Sequence, residues 1–508
     1  MVKIPVNLFP DTNLIDRLLE EQKQLQTPVA RYADAHDAGN LRTDLFKHLI
    51  PLDKPQKGEQ YAFQVELDKC TGCKACVVAC HTLNGLDEDE AWRDVGLLEG
   101  GDDEPGFQQT VTTACHHCLD PECLNGCPVG AYEKDEESGI VRHLDDQCIG
   151  CEYCILKCPY DVPKYSHKRG IVRKCDMCHQ RLEVGEAPAC VQACPTEAIS
   201  IIKIDTAALR AKNNFLPGAP PPEVTQPTTR YVGRDVPTAA QPADRERLVA
   251  QTPHTPLALM LTLTQAGLGI LAGSLFQNSL AWVIAGFLLF NTGMAAATLH
   301  LGKPLKAWRF FLGLKTSWLS REILAFSLIA PLPAILLGLA IFPDFPPIVP
   351  EIVTTLIKLS LIPAALAAVF TSVMIYVDTK RPTWNLKSTA AQFYGTFLAF
   401  ALLPLSPWLF ALGGCVLLAI EAGLLLPGRK SEWSPAQHQA RLRLVPLRRV
   451  SEFRIGSLAL AMVCAIMSPW LAFPVILFSE LLSRHLFFRS VYAPKMPGGP
   501  ATHGAHLN

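Results

Sequence analysis

Sixteen of the eighteen cysteines lie in four compact groups between positions 70 and 194. The first and third groups have the spacing C-x2-C-x2-C-x3-C, the second has C-x2-C-x4-C-x3-C and the fourth has C-x2-C-x11-C-x3-C. The groups are Cys70, Cys73, Cys76 and Cys80; Cys115, Cys118, Cys123 and Cys127; Cys148, Cys151, Cys154 and Cys158; and Cys175, Cys178, Cys190 and Cys194. Thiolates in such groups suit [4Fe–4S] clusters, whose four iron corners each need a ligand.

The spacing also indicates how the groups share clusters. A short C-x2-C-x2-C loop wraps three corners of one cube, and the cysteine three residues later points to a neighbouring cube. Pro128, Pro159 and Pro195 each follow the last cysteine of a group, and proline fixes the turn away from the cluster. Because every group has all four cysteines, the sequence predicts four [4Fe–4S] clusters and no three-iron variant.

Zinc, disulfides and haem are the alternatives for these cysteines. Structural zinc uses C-x2-C pairs but rarely a repeated C-x2-C-x2-C-x3-C run. The N-terminus shows neither a secretory nor a twin-arginine signal, so the cysteines are expected to be reduced and to acquire metal in the cytoplasm. Covalent haem at the C-x-x-C-H motif beginning at Cys175 would consume two cysteines that the fourth group needs.

The rest of the chain divides into two physically different halves. Residues 1–254 hold 27 Lys+Arg and 39 Asp+Glu, whereas residues 255–508 hold 19 and 8. The composition predicts a partner-binding extension at 1–60 with a helix near 13–26, a ferredoxin-like domain at 61–203, a Pro-rich linker at 204–253, a membrane anchor at 254–490 and a flexible tail at 491–508. The helix near 13–26 fits a contact with a partner or with the cysteine domain, and it fits an ordinary surface helix equally well. Short strands are expected at 139–141 and 198–202.

Eight apolar segments in the second half are candidates for membrane-spanning helices. They lie near 255–275, 280–299, 322–342, 353–376, 389–405, 407–426, 453–469 and 470–488. A spanning helix needs about 20 apolar residues, and a soluble helical bundle would carry more charge on its helix faces. The predicted fold is therefore an α+β double bi-cluster ferredoxin-like domain followed by an all-α polytopic membrane domain of about eight transmembrane helices.

The basic residues of the second half predict its orientation. Eighteen of the nineteen lie in the loops after helices two, four and six or near the C-terminus, and only Lys358 lies toward the other side. Positive loops stay cytoplasmic. The sequence therefore predicts a multi-pass protein of the inner (cytoplasmic) membrane, with the cysteine domain on the cytoplasmic side.

The cysteine pattern over residues 61–203 resembles the four-cluster iron–sulfur subunit of the dimethyl-sulfoxide reductase family. The resemblance implies that each cluster takes three ligands from one group and a fourth from another. The implied sets are Cys70, Cys73, Cys76 and Cys194 for cluster 1; Cys175, Cys178, Cys190 and Cys80 for cluster 2; Cys115, Cys118, Cys123 and Cys158 for cluster 3; and Cys148, Cys151, Cys154 and Cys127 for cluster 4.

The membrane half resembles the anchor subunit of the same family, through the stretches 300–304 and 317–323 with His254 and Gln265. The two subunits are usually separate polypeptides, and here they look fused. The resemblance implies a quinol site at His300, where histidine can take a proton from quinol. Glu322 begins the third predicted helix nearby, so we expect it to carry the proton onward. Without the motif, His300 reads as an interfacial hydrogen-bonding residue and Glu322 as a helix-start carboxylate.

Other charged residues have less specific roles. Lys74, Lys157, Arg173 and Lys174 lie beside cysteines and either raise cluster potentials or are ordinary surface cations. Glu421 is a weaker candidate for a proton path. Glu480 and Arg484 are expected to form a structural i, i+4 pair.

Together these features predict a non-catalytic electron-transfer and anchor subunit of an oxidoreductase complex. Menaquinol or ubiquinol is oxidised in the membrane, and electrons pass through four clusters to a separate molybdopterin catalytic subunit that reduces nitrate or an S- or N-oxide. The alternative is reverse flow into the quinone pool from a formate dehydrogenase or hydrogenase type partner. A scaffold with structural clusters is disfavoured, and no nucleic-acid partner is expected.

Overall fold

The computed structural model describes residues 43–100, 104–212, 214–277, 279–342 and 351–498, with the single residues Ile15, Leu18, Glu20, Arg31, Asp34 and Ala38. The helix predicted near 13–26 lies largely outside the described residues. The described chain forms a mixed α/β domain followed by an all-helical domain, which confirms the predicted fold class.

Ten short strands in the described chain build the first domain. They are β1 (Glu59–Glu66), β2 (Asp94–Gly100), β3 (Glu104–Thr113), β4 (Tyr132–Lys134), β5 (Val141–His143), β6 (Lys164–Ser166), β7 (Ile171–Arg173), β8 (Ile199–Asp205), β9 (Arg230–Val232) and β10 (Gln241–Pro242). They form sheets in the orders β8-β1-β9 and β10-β2-β3, with the hairpins β4-β5 and β6-β7. The strands predicted near 139–141 and 198–202 correspond to β5 and β8.

The sheets place the cysteines in two apolar cores. In β1, alternate residues such as Phe63 and Val65 point inward, as expected for a strand with one face on a core. Phe63 lies opposite Ile201 of the antiparallel β8. This core holds the buried cysteines of the first and fourth groups together with Cys115. A second core around Val141 and Ile171 holds Cys127, Cys148 and Cys154.

Short helices connect the strands of this domain. They are α1 (Ala75–Asn84), α2 (Glu122–Asn125), α3 (Tyr153–Lys157), α4 (His179–Glu183), α5 (Ala189–Gln192) and α6 (Thr206–Ala211). The 3-10 segments Thr43–Leu49, Leu67–Lys69 and Pro222–Val224 complete the connections. Helix α1 ends at Gly85, whose φ of 52° lets its N–H bond the carbonyls of His81 and Thr82, the left-handed C-terminal cap that glycine favours.

The segment predicted as a linker, 204–253, is instead folded onto the first domain. Strand β9 adds to β1 in parallel, and β10 pairs with β2. Within this segment Thr228 is fully buried and Thr225 is 2% exposed. A Pro-rich segment cannot build a core of its own, but sheet edges supply the backbone partners that it lacks.

The C-terminal residues 491–498 also pack on the first domain, which differs from the flexible tail predicted there. Met496 is buried in the core that holds the first cysteine group. The N–H of Leu97 donates to the carbonyl of Gly498, and a Cβ at Gly96 would overlap the carbonyl oxygen of Pro497. Residues 499–508 lie outside the described residues.

The second domain consists of long apolar helices. They are α7 (Thr255–Ser274), α8 (Leu280–Leu299), α9 (Trp318–Ile329), α10 (Pro331–Ile341), α11 (Glu351–Val377), α12 (Leu386–Leu402), α13 (Pro407–Leu425), α14 (Pro435–Leu444), α15 (Arg448–Met467) and α16 (Pro469–Arg489), with the 3-10 segments Pro304–Gly313 and Leu426–Arg429. Helices α9 and α10 together form one span, which is divided where Pro331 begins α10.

Seven spans in the described chain are long and apolar enough to cross a membrane, and each overlaps a predicted span. The remaining predicted span corresponds to α12, which has 17 residues. Helix α7 is central. In its most apolar 18-residue stretch 83% of the residues are buried, whereas the corresponding share is 22% in Trp318–Ile341 and in Pro407–Arg429. Outward-facing side chains such as Leu328, Leu412 and Met467 are more than half exposed, as expected for a surface solvated by lipid.

Candidate electron-transfer site

Two of the cysteine sets surround cavities. Cys115, Cys118, Cys123 and Cys158 line one cavity. Cys70, Cys73, Cys76 and Cys194 line a second one. In both, three cysteines come from one group and the fourth comes from another, which is the arrangement that the family resemblance implies for clusters 3 and 1.

The remaining eight cysteines also fall into two sets, since Cys80 shares the first core with Cys175 and Cys190, and Cys127 shares the second core with Cys148 and Cys154. Burial raises the pKa of Cys80 to about 12, and the neighbouring Cys190 and Cys178 contribute to the rise. Burial likewise raises the pKa of Cys127, and Cys148 adds to the effect. Cys80 thus lies among the fourth group and Cys127 among the third, as the implied cluster sets 2 and 4 require.

Local backbone geometry brings the cysteines of a group together. Lys74 and Glu152, each directly after the second cysteine of its group, adopt left-handed φ values of 61° and 58°. Left-handed geometry costs a non-glycine residue about 1–2 kcal/mol, and it turns the chain straight into α1 or α3. Within α1, Cys76 and Cys80 are one turn apart, so that Cys80 can leave its own group and face the next.

The thiols are positioned for binding a negatively charged cluster. Backbone N–H groups point at four of the sulfurs: Ala131 at Cys127 (3.2 Å), Gly150 at Cys148 (3.3 Å), Met177 at Cys175 (3.4 Å) and Ala198 at Cys194 (3.2 Å). Such bonds stabilise thiolates and influence cluster potentials. Burial raises the pKa of the Cys127 and Cys175 thiols, because it penalises the charged form. The residues therefore fit iron–sulfur clusters, whose iron supplies the compensating positive charge.

Three of the four cations predicted beside the cysteines are buried. Lys174 donates to the carbonyls of Val141 and Cys175 and lies 3.5 Å from the sulfur of Cys115. Arg173 pairs with the buried Glu90 at 3.2 Å. Lys157 pairs with Glu122 and, at 2.8 Å, with Asp378. These three are therefore not ordinary surface charges.

His300 contacts the third cysteine group directly. Its Nε2 lies 2.8 Å from the carbonyl oxygen of Cys151. Because a carbonyl only accepts, Nε2 donates this bond and Nδ1 is left as the acceptor nitrogen. Burial lowers the pKa of His300, and the bond to Cys151 opposes that shift, so the ring is neutral at neutral pH.

Close approach of three glycines makes this contact possible. A Cβ at Gly302 would overlap the carbonyl oxygen of Gly170, and one at Gly150 would come within 3.0 Å of the nitrogen of Gly302. The N–H of Lys303 donates to the carbonyl of Ile149 at 3.0 Å. The glycine in the sequence His300-Leu301-Gly302-Lys303 is therefore required where the membrane domain meets the loop of Cys148 and Cys151.

Two further polar residues stand beside His300. The rings of His254 and His300 are 6.2 Å apart, and Nδ1 of His254 is 3.7 Å from Glu152. Burial lowers the pKa of His254 to about 4, and burial raises the pKa of Glu152 to about 7. This pair is therefore not a strong ion pair at neutral pH. Sequence reasoning missed Glu152, although its position within the third group was visible.

Glu322 is buried on α9, where Ser372 of α11 donates to it. Among the described residues no hydrogen bond joins Glu322 to His300, so the structure does not link the two predicted quinol-site residues directly. Glu421 instead forms an ion pair with Arg443 at 2.6 Å.

The predicted pair of Glu480 with Arg484 is wrong. Glu480 pairs with Arg454 of the neighbouring α15 at 2.7 Å, and Arg484 donates to Gln265 at 2.6 Å and to Thr396 at 2.7 Å. In a packed bundle, partners on adjacent helices replaced the i, i+4 partner.

Two loops of the membrane domain hold the cysteine domain. In the first, Gly313 donates to the carbonyl of Pro128 at 3.0 Å and Arg309 donates to Gln147 at 2.9 Å. In the second, Arg381 donates to the carbonyl of Leu156 at 3.2 Å. In the last turn of α11, before this loop, the carbonyl of Ile375 accepts from the hydroxyl of Tyr153 at 3.0 Å. The cysteine set of Cys127, Cys148, Cys151 and Cys154 thus rests directly on the helical domain.

Comparison with known proteins agrees with both halves of this architecture. The family model described as 4Fe-4S dicluster domain matches residues 107–204, and the one described as DMSO reductase anchor subunit (DmsC) matches residues 274–406. The protein is thus an iron–sulfur electron-transfer subunit joined to a multi-pass membrane anchor.

Curated relatives identify the family. The protein is 36% identical over 181 residues to the B subunit of anaerobic dimethyl sulfoxide reductase from Haemophilus influenzae, covering 33% of this protein and 87% of that one. It is 38% identical over 170 residues to the corresponding B subunit of Escherichia coli K12, covering 32% and 82%. It is also 36% identical over 158 residues to the formate dehydrogenase-O iron-sulfur subunit of Escherichia coli K12, covering 28% and 52%.

The protein therefore belongs to the family of iron–sulfur B subunits of dimethyl sulfoxide reductase, and it carries the anchor domain of that enzyme type in the same polypeptide.

Proposed function

We propose that this chain oxidises quinol at His300 and passes the electrons through four [4Fe–4S] clusters to a separate molybdopterin oxidoreductase subunit. Menaquinol or ubiquinol is the electron donor, and nitrate or an S- or N-oxide is the terminal acceptor. Oxidising one quinol releases two protons and two electrons and yields quinone. The clusters supply one-electron carriers.

The contact of His300 with the backbone of Cys151 carries this proposal. It puts a candidate proton acceptor of the membrane domain against the loop of three cysteines predicted to bind cluster 4. The hydrogen bond to Cys151 fixes the ring tautomer, so that Nδ1 is the nitrogen open to a quinol hydroxyl. His254 and Glu152 lie close enough to receive the proton next, and Glu322 is a second acceptor deeper in the bundle.

The cysteine sets lie in an order that suits electron transfer from one cluster to the next. The set of cluster 4, which includes Cys127, contacts the membrane domain. Lys174 lies between Cys115 of the cluster 3 set and Cys175 of the cluster 2 set. Cys80 is close enough to Cys175 to influence it electrostatically within the cluster 2 set. The last set includes Cys73, which is exposed, and this is where we place the docking of the catalytic subunit.

The side of the membrane follows from charge. The basic loops that hold the cysteine domain are those that the positive-inside rule places in the cytoplasm, so the iron–sulfur domain faces the cytoplasm of the inner membrane. The similarity to a formate dehydrogenase iron-sulfur subunit supports one alternative, in which a formate dehydrogenase or hydrogenase type partner drives electrons into the quinone pool. Very low midpoint potentials in all four clusters would favour that alternative.

The variant His300→Gln tests the quinol site. Glutamine keeps a donor for the carbonyl of Cys151 but cannot accept a proton, and proton transfer by a positioned base contributes about 100-fold or more. We expect cluster reduction by a quinol analogue to fall by about that factor in the purified chain, while iron content and reduction by dithionite stay unchanged. His167→Gln, at an exposed position, is the control. Unchanged quinol oxidation in His300→Gln would overturn the assignment.

A further inference from the structure

Arg93 is a buried cation that no sequence motif singled out. It is 3% exposed. Its Nη1 donates to Thr112 at 3.2 Å, and its guanidinium carbon lies 4.7 Å from the centre of the Phe63 ring. Its Nη2 has no hydrogen-bond partner among the described residues. A buried donor without a partner costs free energy. A nearby negatively charged group would offset that cost.

The groups around Arg93 are cysteines of two predicted clusters. Burial disfavours its charge, and the thiols that oppose this and raise its pKa are those of Cys190, Cys76, Cys175 and Cys80. Cys76 belongs to the set of cluster 1 and the other three to the set of cluster 2. Thr112, which accepts from Arg93, is also 3.5 Å from the sulfur of Cys76. Arg93 therefore stands between the two sets.

Arg93 has no carboxylate beside it among the described residues, which sets it apart from Arg173 and Lys157. Arg173 is also buried and also lies over an aromatic ring, that of Trp92 at 4.9 Å, but it is neutralised by Glu90. Lys157 has two carboxylate partners. In the described chain Arg93 forms no ion pair, so its full charge acts on the cysteine sets.

We propose that the positive charge of Arg93 raises the midpoint potentials of clusters 1 and 2. Electrons would then reside preferentially on the two clusters nearest to the catalytic partner. The inference rests on the proposed function, because it needs the clusters to be present. Each reduced cluster gains one electron and one negative charge. A nearby positive charge in a low-dielectric core stabilises that reduced form relative to the oxidised one.

The test is a redox titration of the purified full chain, followed by electron paramagnetic resonance, with Arg93→Met. We expect two of the four clusters to lose at least tenfold in the ratio of reduced to oxidised form at fixed ambient potential. A tenfold change corresponds to about 59 mV for a one-electron couple. The other two clusters should shift less. Arg93→Lys keeps the charge and should restore the potentials.

Matched variants separate charge from packing. The double variant Arg173→Met with Glu90→Gln removes an equally buried guanidinium without changing the net charge, and should leave all four potentials in place. If Arg93→Met fails to bind iron, Arg93→Gln removes the charge while keeping a donor for Thr112, and decides the question. Unshifted potentials in an iron-replete neutral variant would overturn the proposal. A wild-type protein without about sixteen irons would instead defeat the proposed function itself.

Discussion

The cysteine sets nearest to and furthest from the membrane are built differently. Around Cys148 and Cys151 the backbone of the other domain comes so close that only glycine fits, and Lys157 is locked between carboxylates of both domains. Around Cys73 the surface is open, and Val78 on α1 is 63% exposed. The difference teaches that one cysteine set is closely packed against the other domain of the same polypeptide, at a closed junction, whereas the other set lies at an exposed surface, an open junction.

Breaking the Lys157 ion pairs should have the largest effect on the closed junction. The side chain of Lys157 is 3% exposed, and removing one partner of a buried pair leaves the opposite charges uncompensated, at a cost of about 3 kcal/mol. We expect Lys157→Met to lower the free energy of unfolding by that amount in a urea titration followed by cluster absorbance. Lys164→Met, which breaks a more exposed pair with Asp161, should cost about 0–1 kcal/mol. Equal losses in both variants would contradict the comparison.

Adding one methyl group at the glycine contact should have the next largest effect. A Cβ at Gly302 overlaps the carbonyl oxygen of Gly170, and overpacking of this kind costs about 1–3 kcal/mol. Gly302→Ala should therefore weaken domain docking and slow cluster reduction by a quinol analogue, measured by stopped flow. Gly456→Ala, where nothing lies within 4 Å, is the control. A Gly302→Ala protein as fast as the control would show that the close approach is dispensable.

The open junction should show the smallest effect on stability. Val78→Lys places a charge on the exposed face of α1 and should change the free energy of unfolding of this protein by no more than about 0.5 kcal/mol. If this face receives the catalytic subunit, the same variant should weaken association with it in a pull-down of the assembled complex. Full assembly with Val78→Lys would place the docking face elsewhere.

Sequence patterns predicted what depends on local spacing. The four cysteine groups and the apolar spans are periodic signals, and the helices overlap all eight predicted spans. Partners brought together by the fold were not predictable in this way. Arg93 lies 13 positions beyond Cys80 in the sequence, just before β2, and its hydrogen-bond partner Thr112 lies on β3. Glu480 pairs with Arg454 on a neighbouring helix, because antiparallel packing offers a closer partner than its own helix.

The amino-acid composition gave a wrong prediction for the segment that is held by backbone hydrogen bonds rather than by buried side chains. Residues 204–253 read as a linker, since proline and small polar residues cannot form a core, yet β9 and β10 complete two sheets with main-chain hydrogen bonds. The ligand sets, the cluster number and the quinol site remain predictions, which iron analysis and the variants above will decide.

The return of residues 491–498 to β2 has a consequence for how the protein is made. The first domain is translated before any helix enters the membrane, but its edge at Leu97 gains its last backbone partner only after α16 has left the ribosome. At about 5–20 residues per second, that delay is roughly 13–50 seconds. We therefore expect an interval during synthesis in which the domain is folded but its edge at Leu97 is not yet closed.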